Sequence, residues 1–123
     1  MSIKENYLVK RIRWYTSAIL FAWKDTSFKV WVLLCTLGIV AGLLANIGMT
    51  KLALLVAVAL LGWGLEIANS SIEKLVELVE PNYNPRVKII KDAFGAAPTL
   101  AFSAYAICWL ILVAPTIYLR VIE

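Results

Sequence analysis

The sequence predicts an all-α integral membrane protein, with an N-terminal amphipathic surface helix followed by three transmembrane helices. Apolar residues make up 62% of the chain and charged residues 16%, against about 45–50% and about 25% in ordinary soluble proteins. Residues 30–65 contain one charged residue, Lys51, and residues 93–119 contain none. Because one span needs about 20 mostly apolar residues, the first stretch holds two spans joined near Lys51, and the second holds one.

Basic residues are concentrated before the first span and around the connection between the second and third spans. They are Lys4, Lys10, Arg11, Arg13, Lys24 and Lys29 in the first group, and Lys74, Arg86, Lys88 and Lys91 in the second. Cytoplasmic segments carry the excess of Lys and Arg, so the N-terminus and this connection are predicted to face the cytoplasm. In a membrane protein a net charge of +4 fits anionic lipid headgroups better than nucleic acid.

The surface helix is predicted over residues 5–24. Its apolar side chains share one side at helical spacing, while basic and hydroxyl residues occupy the rest, as in helices that lie on a membrane surface. Trp14 and Trp23 suit the headgroup level. A turn follows at Asp25, where Thr26 or Ser27 can cap the next helix.

The transmembrane helices are predicted over residues 28–45, 51–79 and 86–117, within a single membrane domain of residues 1–123. Asn46 and Gly48 indicate a tight turn after the first helix. The loop P-N-Y-N-P separates the second and third helices, because proline interrupts helices and biases the preceding residue. Pro98 lies inside the third helix, where we expect a kink or a local break.

The run E-I-A-N-S-S-I-E at residues 66–73 carries the strongest chemical signal. At helical periodicity, five polar side chains of the second helix fall within an arc of about 80°. They are Glu66, Asn69, Glu73, Glu77 and Glu80. A carboxylate in a membrane is costly, about 2.5–3.5 kcal/mol for Asp at mid-helix, so Glu66 is expected to face the bundle interior or a cavity.

Two interpretations of this acidic stripe remain open. Glu66, Asn69 and Glu73 can bind a divalent cation through oxygen atoms or place a general base beside it; they can also make hydrogen bonds between helices. Glu77 and Glu80 have a simpler interpretation, as solvated charges at the membrane interface. The chain contains no His, which excludes a His base and a His-ligated zinc site.

The start of the third helix carries a complementary set of residues, Lys88, Lys91, Asp92 and Gly95, on one helical face. Lys91 can neutralise phosphate oxygens, Asp92 can orient a donor, and Gly95 allows close backbone approach. Acidic and metal-binding groups on one helix, with basic groups on the next, form an arrangement that phosphoryl transfer uses.

The stretch E-I-A-N-S-S-I-E-K-L-V-E-L-V-E-P-N-Y-N-P, followed by K-I-I-K-D-A-F-G-A-A, resembles the signature of the prokaryotic diacylglycerol kinases and the related undecaprenol kinases. That signature is E-x-x-N-[ST]-x-I-E, a short loop and A-K-D. The resemblance implies a homotrimer in the bacterial inner membrane. It also implies transfer of the γ-phosphate of ATP, with Mg²⁺, to a membrane lipid alcohol at sites between neighbouring chains.

By position, the resemblance assigns roles to five residues of the two motifs. Glu66 resembles the general base that acts on the lipid hydroxyl. Glu73 resembles a metal ligand, and Asn69 resembles the polar residue between them. Lys91 and Asp92 match the pair that contacts phosphate and nucleotide.

The N-terminal part of the resemblance adds a metal ligand and two further contacts. The run D-T-S-F-K matches the family pattern E-x-x-F-R and makes Asp25 the second metal ligand. Trp31 stands where the family often has a further acidic residue. Arg11 and Arg13 are candidates for contacts with ATP phosphates and equally for contacts with anionic lipid.

The leading hypothesis is therefore an ATP-dependent lipid kinase whose acceptor is diacylglycerol or undecaprenol. One alternative is an ion- or proton-coupled membrane protein that uses Glu66 as an intramembrane carboxylate. Another is an inactive family member that serves as a structural subunit, supported by Asp25 and Trp31. The apolar residues of the spans fit an acyl or a prenyl chain equally, so the sequence leaves the acceptor open.

Overall fold

The computed structural model describes residues 6–123, which form five α-helices. These are α1 (Tyr7–Ala22), α2 (Thr26–Leu44), α3 (Met49–Val79), α4 (Pro85–Leu112) and α5 (Ala114–Ile122). Three stretches are long and apolar enough to cross a membrane: α2, α3, and α4 together with α5. The predicted all-helical membrane protein with three spanning helices is confirmed. Lys4 and the first residue of the predicted surface helix lie outside the described residues.

Side-chain caps and positive φ angles define where the helices begin. The Asn6 side chain caps α1, and the Asn84 side chain caps α4 by accepting from the Arg86 N–H at 3.0 Å. The expectation that Thr26 or Ser27 caps α2 was wrong. The cap is Asp25, whose Oδ1 accepts from the Ser27 N–H at 3.2 Å, because a side-chain carboxylate satisfies an unpaired amide at a helix start. Between α2 and α3, Gly48 has a φ of 93°, which glycine adopts without strain.

The third spanning segment runs from Pro85 to Ile122 and is interrupted at one residue, Val113. The helix predicted over residues 86–117 lies within this segment. α4 continues through the buried Pro98, so of the kink or local break that we expected there the break is absent, and the kink stays a prediction. Pro98 leaves the Phe94 carbonyl without its usual helical partner, and the neighbouring Thr99 hydroxyl donates to a different carbonyl, that of Gly95, at 3.1 Å. The interruption comes instead before Pro115, which lacks an N–H and whose ring crowds the carbonyl four residues earlier.

Helix α3 packs along α4, and α2 lies against both. The buried apolar cluster between them consists of Cys35, Ala45, Ile47, Leu55, Ala59, Phe102, Tyr105 and Val113. Two aromatic side chains of α4 bond to the α2 backbone: the Tyr105 hydroxyl donates to the Cys35 carbonyl at 2.7 Å, and the Trp109 indole N–H donates to the Gly38 carbonyl at 3.1 Å. Because lipid tails are as apolar as the side chains, such bonds and close packing hold membrane helices together.

A stack of two aromatic rings links α2 to α4 over a glycine of α3. The rings of Trp31 and Phe102 are 3.9 Å apart between centroids and nearly parallel, at 5°. A Cβ atom at Gly62 would lie 2.8 Å from Cε1 of Phe102. Phe102 cannot move away from α3 without disturbing its stack on Trp31, so this position requires glycine.

The substitution Gly62→Ala is expected to lower the free energy of unfolding by about 1–3 kcal/mol, the usual cost of overpacking. The matched control is Gly64→Ala on the same helix, where a Cβ meets nothing within 4 Å. That change should raise the free energy of unfolding by about 0.5–1 kcal/mol, since Ala favours helix over Gly. Denaturation in detergent micelles, followed by circular dichroism, measures both. Equal effects of the two substitutions would contradict the packing.

Candidate active site

Glu66 lies in the part of α3 that faces the other helices, and its side chain is buried, with 5% exposure. Gly62, one turn earlier on the same helical face, contacts Phe102 of α4. Ser70, one turn later, is also buried, with 6% exposure. The carboxylate is thus shielded from lipid hydrocarbon. This agrees with the expectation from the sequence, because a charge exposed to the membrane interior is energetically costly.

Asp25, at the start of α2, is tied to α3 by a hydrogen bond that sequence reasoning missed. The Ser70 hydroxyl donates to Oδ2 of Asp25 at 2.8 Å, while Oδ1 caps α2. Bonds to a carboxylate are among the stronger hydrogen bonds in proteins. The only sequence signal was the position of Ser70, four residues after Glu66 and therefore on the same helical face. The contact places Asp25 one helical turn from Glu66.

Asn69 faces α4 at Gly95, which has no side chain to separate the two helices. The amide oxygen of Asn69 is buried and forms no hydrogen bond to any residue that the structure describes. A Cβ at Gly95 would lie 3.9 Å from that oxygen. A buried oxygen without a partner costs about 1–3 kcal/mol, so this amide is suited to accept a bond from, or ligate, a group that enters the site.

Lys91 and Asp92 lie in the first turns of α4 and line a cleft of about 370 Å³ beside the P-N-Y-N-P loop. The acidic residues that line the same cleft are Glu77 and Glu80, whereas Glu66 and Glu73 are not part of its lining. Asp92 pairs with Lys88, at 2.7 Å between Oδ2 and Nζ. The charged residues of α4 therefore share this cleft with Glu77 and Glu80, the two residues of the acidic stripe that we had interpreted as solvated charges.

Glu73 is half-buried in α3, and Asp25 lines a separate cavity of about 390 Å³ with Phe21, Lys24 and Lys74. Across residues 6–123, no three side chains from His, Cys, Asp and Glu are grouped so that they could hold a metal ion. The available donors still fit Mg²⁺, which takes one or two carboxylates and completes its shell with water and substrate phosphates. Lys24 and Lys74, which the sequence analysis named as members of the basic groups and not as site residues, add positive charge beside Asp25.

The two arginines of α1 are both exposed. The Arg11 guanidinium donates to the Tyr7 hydroxyl and lies 5.0 Å from the Tyr7 ring and 5.7 Å from the Trp14 ring. Cation–π contacts of this kind hold a guanidinium over an aromatic face. Helix α1 itself packs on α3. Among the described contacts, none joins Arg11 to Asp25, Glu66 or Glu73.

Fold and site together define a small polytopic membrane protein with a buried carboxylate and a buried amide oxygen in one spanning helix and a group of charged residues at the end of that helix. A model of the prokaryotic diacylglycerol kinase family matches residues 16–113. The diacylglycerol kinase of Pseudomonas aeruginosa is 32% identical over 85 residues, which cover 69% of this chain and 69% of that protein. No solved structure gives a significant match.

The chain belongs to the prokaryotic diacylglycerol kinase family, and the resemblance found in its motifs is confirmed. It is a membrane kinase of the diacylglycerol kinase type. The matched residues include Asp25, Glu66, Glu73 and the Lys91-Asp92 pair, whereas Arg11 and Arg13 precede them.

Proposed function

We propose that this protein is an ATP-dependent lipid kinase that transfers the γ-phosphate of MgATP to the hydroxyl of a membrane lipid alcohol, either diacylglycerol or undecaprenol. The observation that carries the proposal is the buried Glu66 carboxylate, one turn from the Asp25–Ser70 hydrogen bond, in a chain of this family. A lipid hydroxyl lies where hydrocarbon meets headgroup, the level at which the apolar half of α3 ends.

In this proposal Glu66 removes the proton from the lipid hydroxyl as that oxygen attacks the γ-phosphorus, and the bond from the γ-phosphorus to the β–γ bridging oxygen breaks to release ADP. Asn69, with its unpaired amide oxygen, would accept a hydrogen bond from the incoming hydroxyl and orient it. Asp25 and Glu73 would hold Mg²⁺, which neutralises the charge of the β- and γ-phosphates. Lys91 adds a positive charge to the phosphates, and Asp92 orients Lys88 and the nucleotide.

A site completed by a neighbouring chain explains two features of the single chain. The cleft with Lys91 and Asp92 is lined by neither Glu66 nor Glu73, and the carboxylates of the described residues form no group of three. We propose the homotrimer that the family resemblance implies, with each site built from two chains. Association would also cover apolar and small residues of the spanning helices.

The proposed location is the bacterial inner membrane, with the N-terminus in the cytoplasm where ATP is available. Helix α1 is proposed to lie on that surface as an amphipathic helix. Its exposed Trp14 and its cations Lys10 and Arg11 are suited to the headgroup region. In that position Arg11 and Arg13 can reach either the ATP phosphates or anionic lipids.

Transfer of ³²P from γ-labelled ATP tests the function directly. Purified protein in mixed micelles is offered diacylglycerol and undecaprenol separately, each with Mg²⁺ and each with EDTA in excess. We expect label in one lipid, lost with EDTA, because phosphate charge must be neutralised for transfer. Folded, oligomeric protein that labels neither lipid would reject the proposal, and label that persists in EDTA would reject the assigned metal.

A further inference from the structure

The cavity beside Asp25 lies where the end of α1, the start of α2 and the last third of α3 meet. It measures about 390 Å³ and is lined by Phe21, Lys24, Asp25 and Lys74. Lys24 directly precedes Asp25 in the chain, and Lys74 follows Ser70 by one helical turn on α3. Two cations from different parts of the chain therefore share one cavity with the carboxylate that accepts from the Ser70 hydroxyl.

Neither lysine is committed to a strong interaction within the chain. Lys24 pairs with no carboxylate among residues 6–123. Lys74 pairs with Glu77 at 3.0 Å, but both side chains are more than half exposed, and an exposed pair of this kind contributes little to stability. An anionic oxygen that enters the cavity can therefore accept hydrogen bonds from both ammonium groups.

Along α3 the cavity lies beyond the Asp25–Ser70 hydrogen bond as seen from Glu66. Glu66, Ser70 and Lys74 follow one another at intervals of one turn, about 6 Å each along the helix axis. Glu66 comes where the apolar half of α3 ends, and Lys74 lies towards the loop that follows the helix. In the proposed reaction the lipid hydroxyl is at Glu66 and the metal is at Asp25. A group at the level of Lys74 is therefore on the opposite side of the transferred phosphorus from the attacking hydroxyl.

The lysine to which the family resemblance assigns phosphate contact lies elsewhere in the chain. Lys91 lines the cleft beside the P-N-Y-N-P loop, and neither Asp25 nor Glu73 is part of the lining of that cleft. Within one chain, the positive charge that shares a cavity with the proposed metal ligand Asp25 comes from Lys24 and Lys74. Negative charge that develops beside that metal would therefore be close to these two cations.

We propose that Lys24 and Lys74 bind the β-phosphate of the nucleotide and neutralise the charge that the leaving ADP acquires. The inference rests on the proposed function and adds two residues to its site. In the transfer, the lipid oxygen forms a bond to the γ-phosphorus and loses its proton to Glu66. The bond from the γ-phosphorus to the bridging oxygen breaks, and its electron pair stays on ADP. Because the attacking and leaving oxygens are roughly in line, the leaving oxygen lies on the side of the two lysines.

The carboxylate in the cavity determines which kind of phosphate it binds. Asp25 repels a phosphate that arrives without a metal, whereas Mg²⁺ held by Asp25 reverses the sign of that interaction. The cavity is therefore suited to a phosphate that brings a divalent cation, as a nucleotide does. The headgroup of an anionic phospholipid fits it less well, because Asp25 opposes its single phosphate.

Nucleotide binding in the absence of a lipid acceptor tests the two lysines apart from turnover. Equilibrium dialysis of radiolabelled ADP and, separately, of ATP is measured with Mg²⁺ on the full-length protein in detergent micelles. Lys24→Met and Lys74→Met keep most of the side-chain length and remove the charge. We expect each to raise the Kd of both nucleotides by about tenfold or more, because both carry the β-phosphate and a charge-assisted hydrogen bond to it is lost.

Two control variants separate charge from structure. Lys74→Arg keeps the charge and should retain most of the affinity that Lys74→Met loses. Lys51→Met removes an exposed lysine at the other end of α3 and should leave both Kd values at wild type. A Kd that rises for ATP alone would place the lysines on the γ-phosphate, and equal losses in Lys74→Arg and Lys74→Met would indicate a structural defect. Either result would overturn the proposal.

The same measurements separate the role of the lysines from the proposed kinase. Wild-type protein that binds neither nucleotide would reject the kinase together with this role. Wild-type protein that binds both, with Lys24→Met and Lys74→Met unchanged, would leave the kinase standing and overturn the role of the lysines. In that case, thermal stabilisation by phosphatidylglycerol that is lost in Lys74→Met would assign the cavity to a lipid headgroup.

Discussion

The substitution Glu66→Gln is expected to lower kcat for phosphate transfer by about 10²–10⁴-fold, the contribution of a positioned general base. Glutamine has the shape of glutamate but accepts no proton. Glu66 is buried, so bulk water has little access to replace it as the base. Initial rates of ³²P transfer at saturating MgATP and acceptor measure the loss, and KM for ATP should change little, because the lost interaction belongs to the transition state.

The control for Glu66 is Glu123, an exposed carboxylate after α5 that lines neither the cleft with Lys91 and Asp92 nor the cavity with Asp25. Glu123→Gln removes one exposed charge and should leave kcat near wild type. Glu66→Gln removes a buried charge and keeps the side-chain volume, so a lower melting temperature is not expected. Equal losses in the two variants would contradict a special role for Glu66. Full turnover of both Glu66→Gln and Glu73→Gln would reject the site.

The spanning helices could be predicted because charge-free length alone decides whether a helix crosses a membrane. The interruption of the third spanning segment at Val113 could not be predicted from the sequence. Pro98 and Pro115 have the same local effect on a helix, namely a missing N–H and a crowded carbonyl. What distinguishes them is their surroundings: Pro98 is buried, whereas Pro115 is exposed, and a sequence shows neither.

The site was predictable along one helix and not between helices. Periodicity places Glu66, Asn69 and Glu73 on one face of α3, but it also extends the same stripe to Glu77 and Glu80. Only the packing of α3 against α4 shows that Lys91 meets the far end of the stripe. Similarly, no sequence pattern predicts the hydrogen bond between Ser70 and Asp25, because it depends on where α2 starts relative to α3.

Asp25 has two structural bonds and one proposed chemical role, and a graded series of substitutions separates them. Its Oδ1 caps α2 and its Oδ2 accepts from Ser70, while its charge is proposed to hold Mg²⁺. Asp25→Ala removes all three features. Asp25→Asn keeps the cap through its amide oxygen, and its amide nitrogen can donate to the Ser70 hydroxyl, so only the charge is lost.

For Asp25→Asn we therefore expect a melting temperature near wild type and a rise in the Mg²⁺ concentration for half-maximal rate. The rise should reach at least the roughly 10–100-fold that loss of a metal's supporting group costs. Asp25→Ala should show the same rise and also lose about 0.5–2 kcal/mol of stability with the cap. Ser70→Ala, which keeps the charge, should leave the Mg²⁺ dependence nearly unchanged. If Asp25→Asn leaves the Mg²⁺ dependence at wild type, Asp25 serves as a helix cap, and the metal has to be held by Glu73 and a carboxylate from elsewhere.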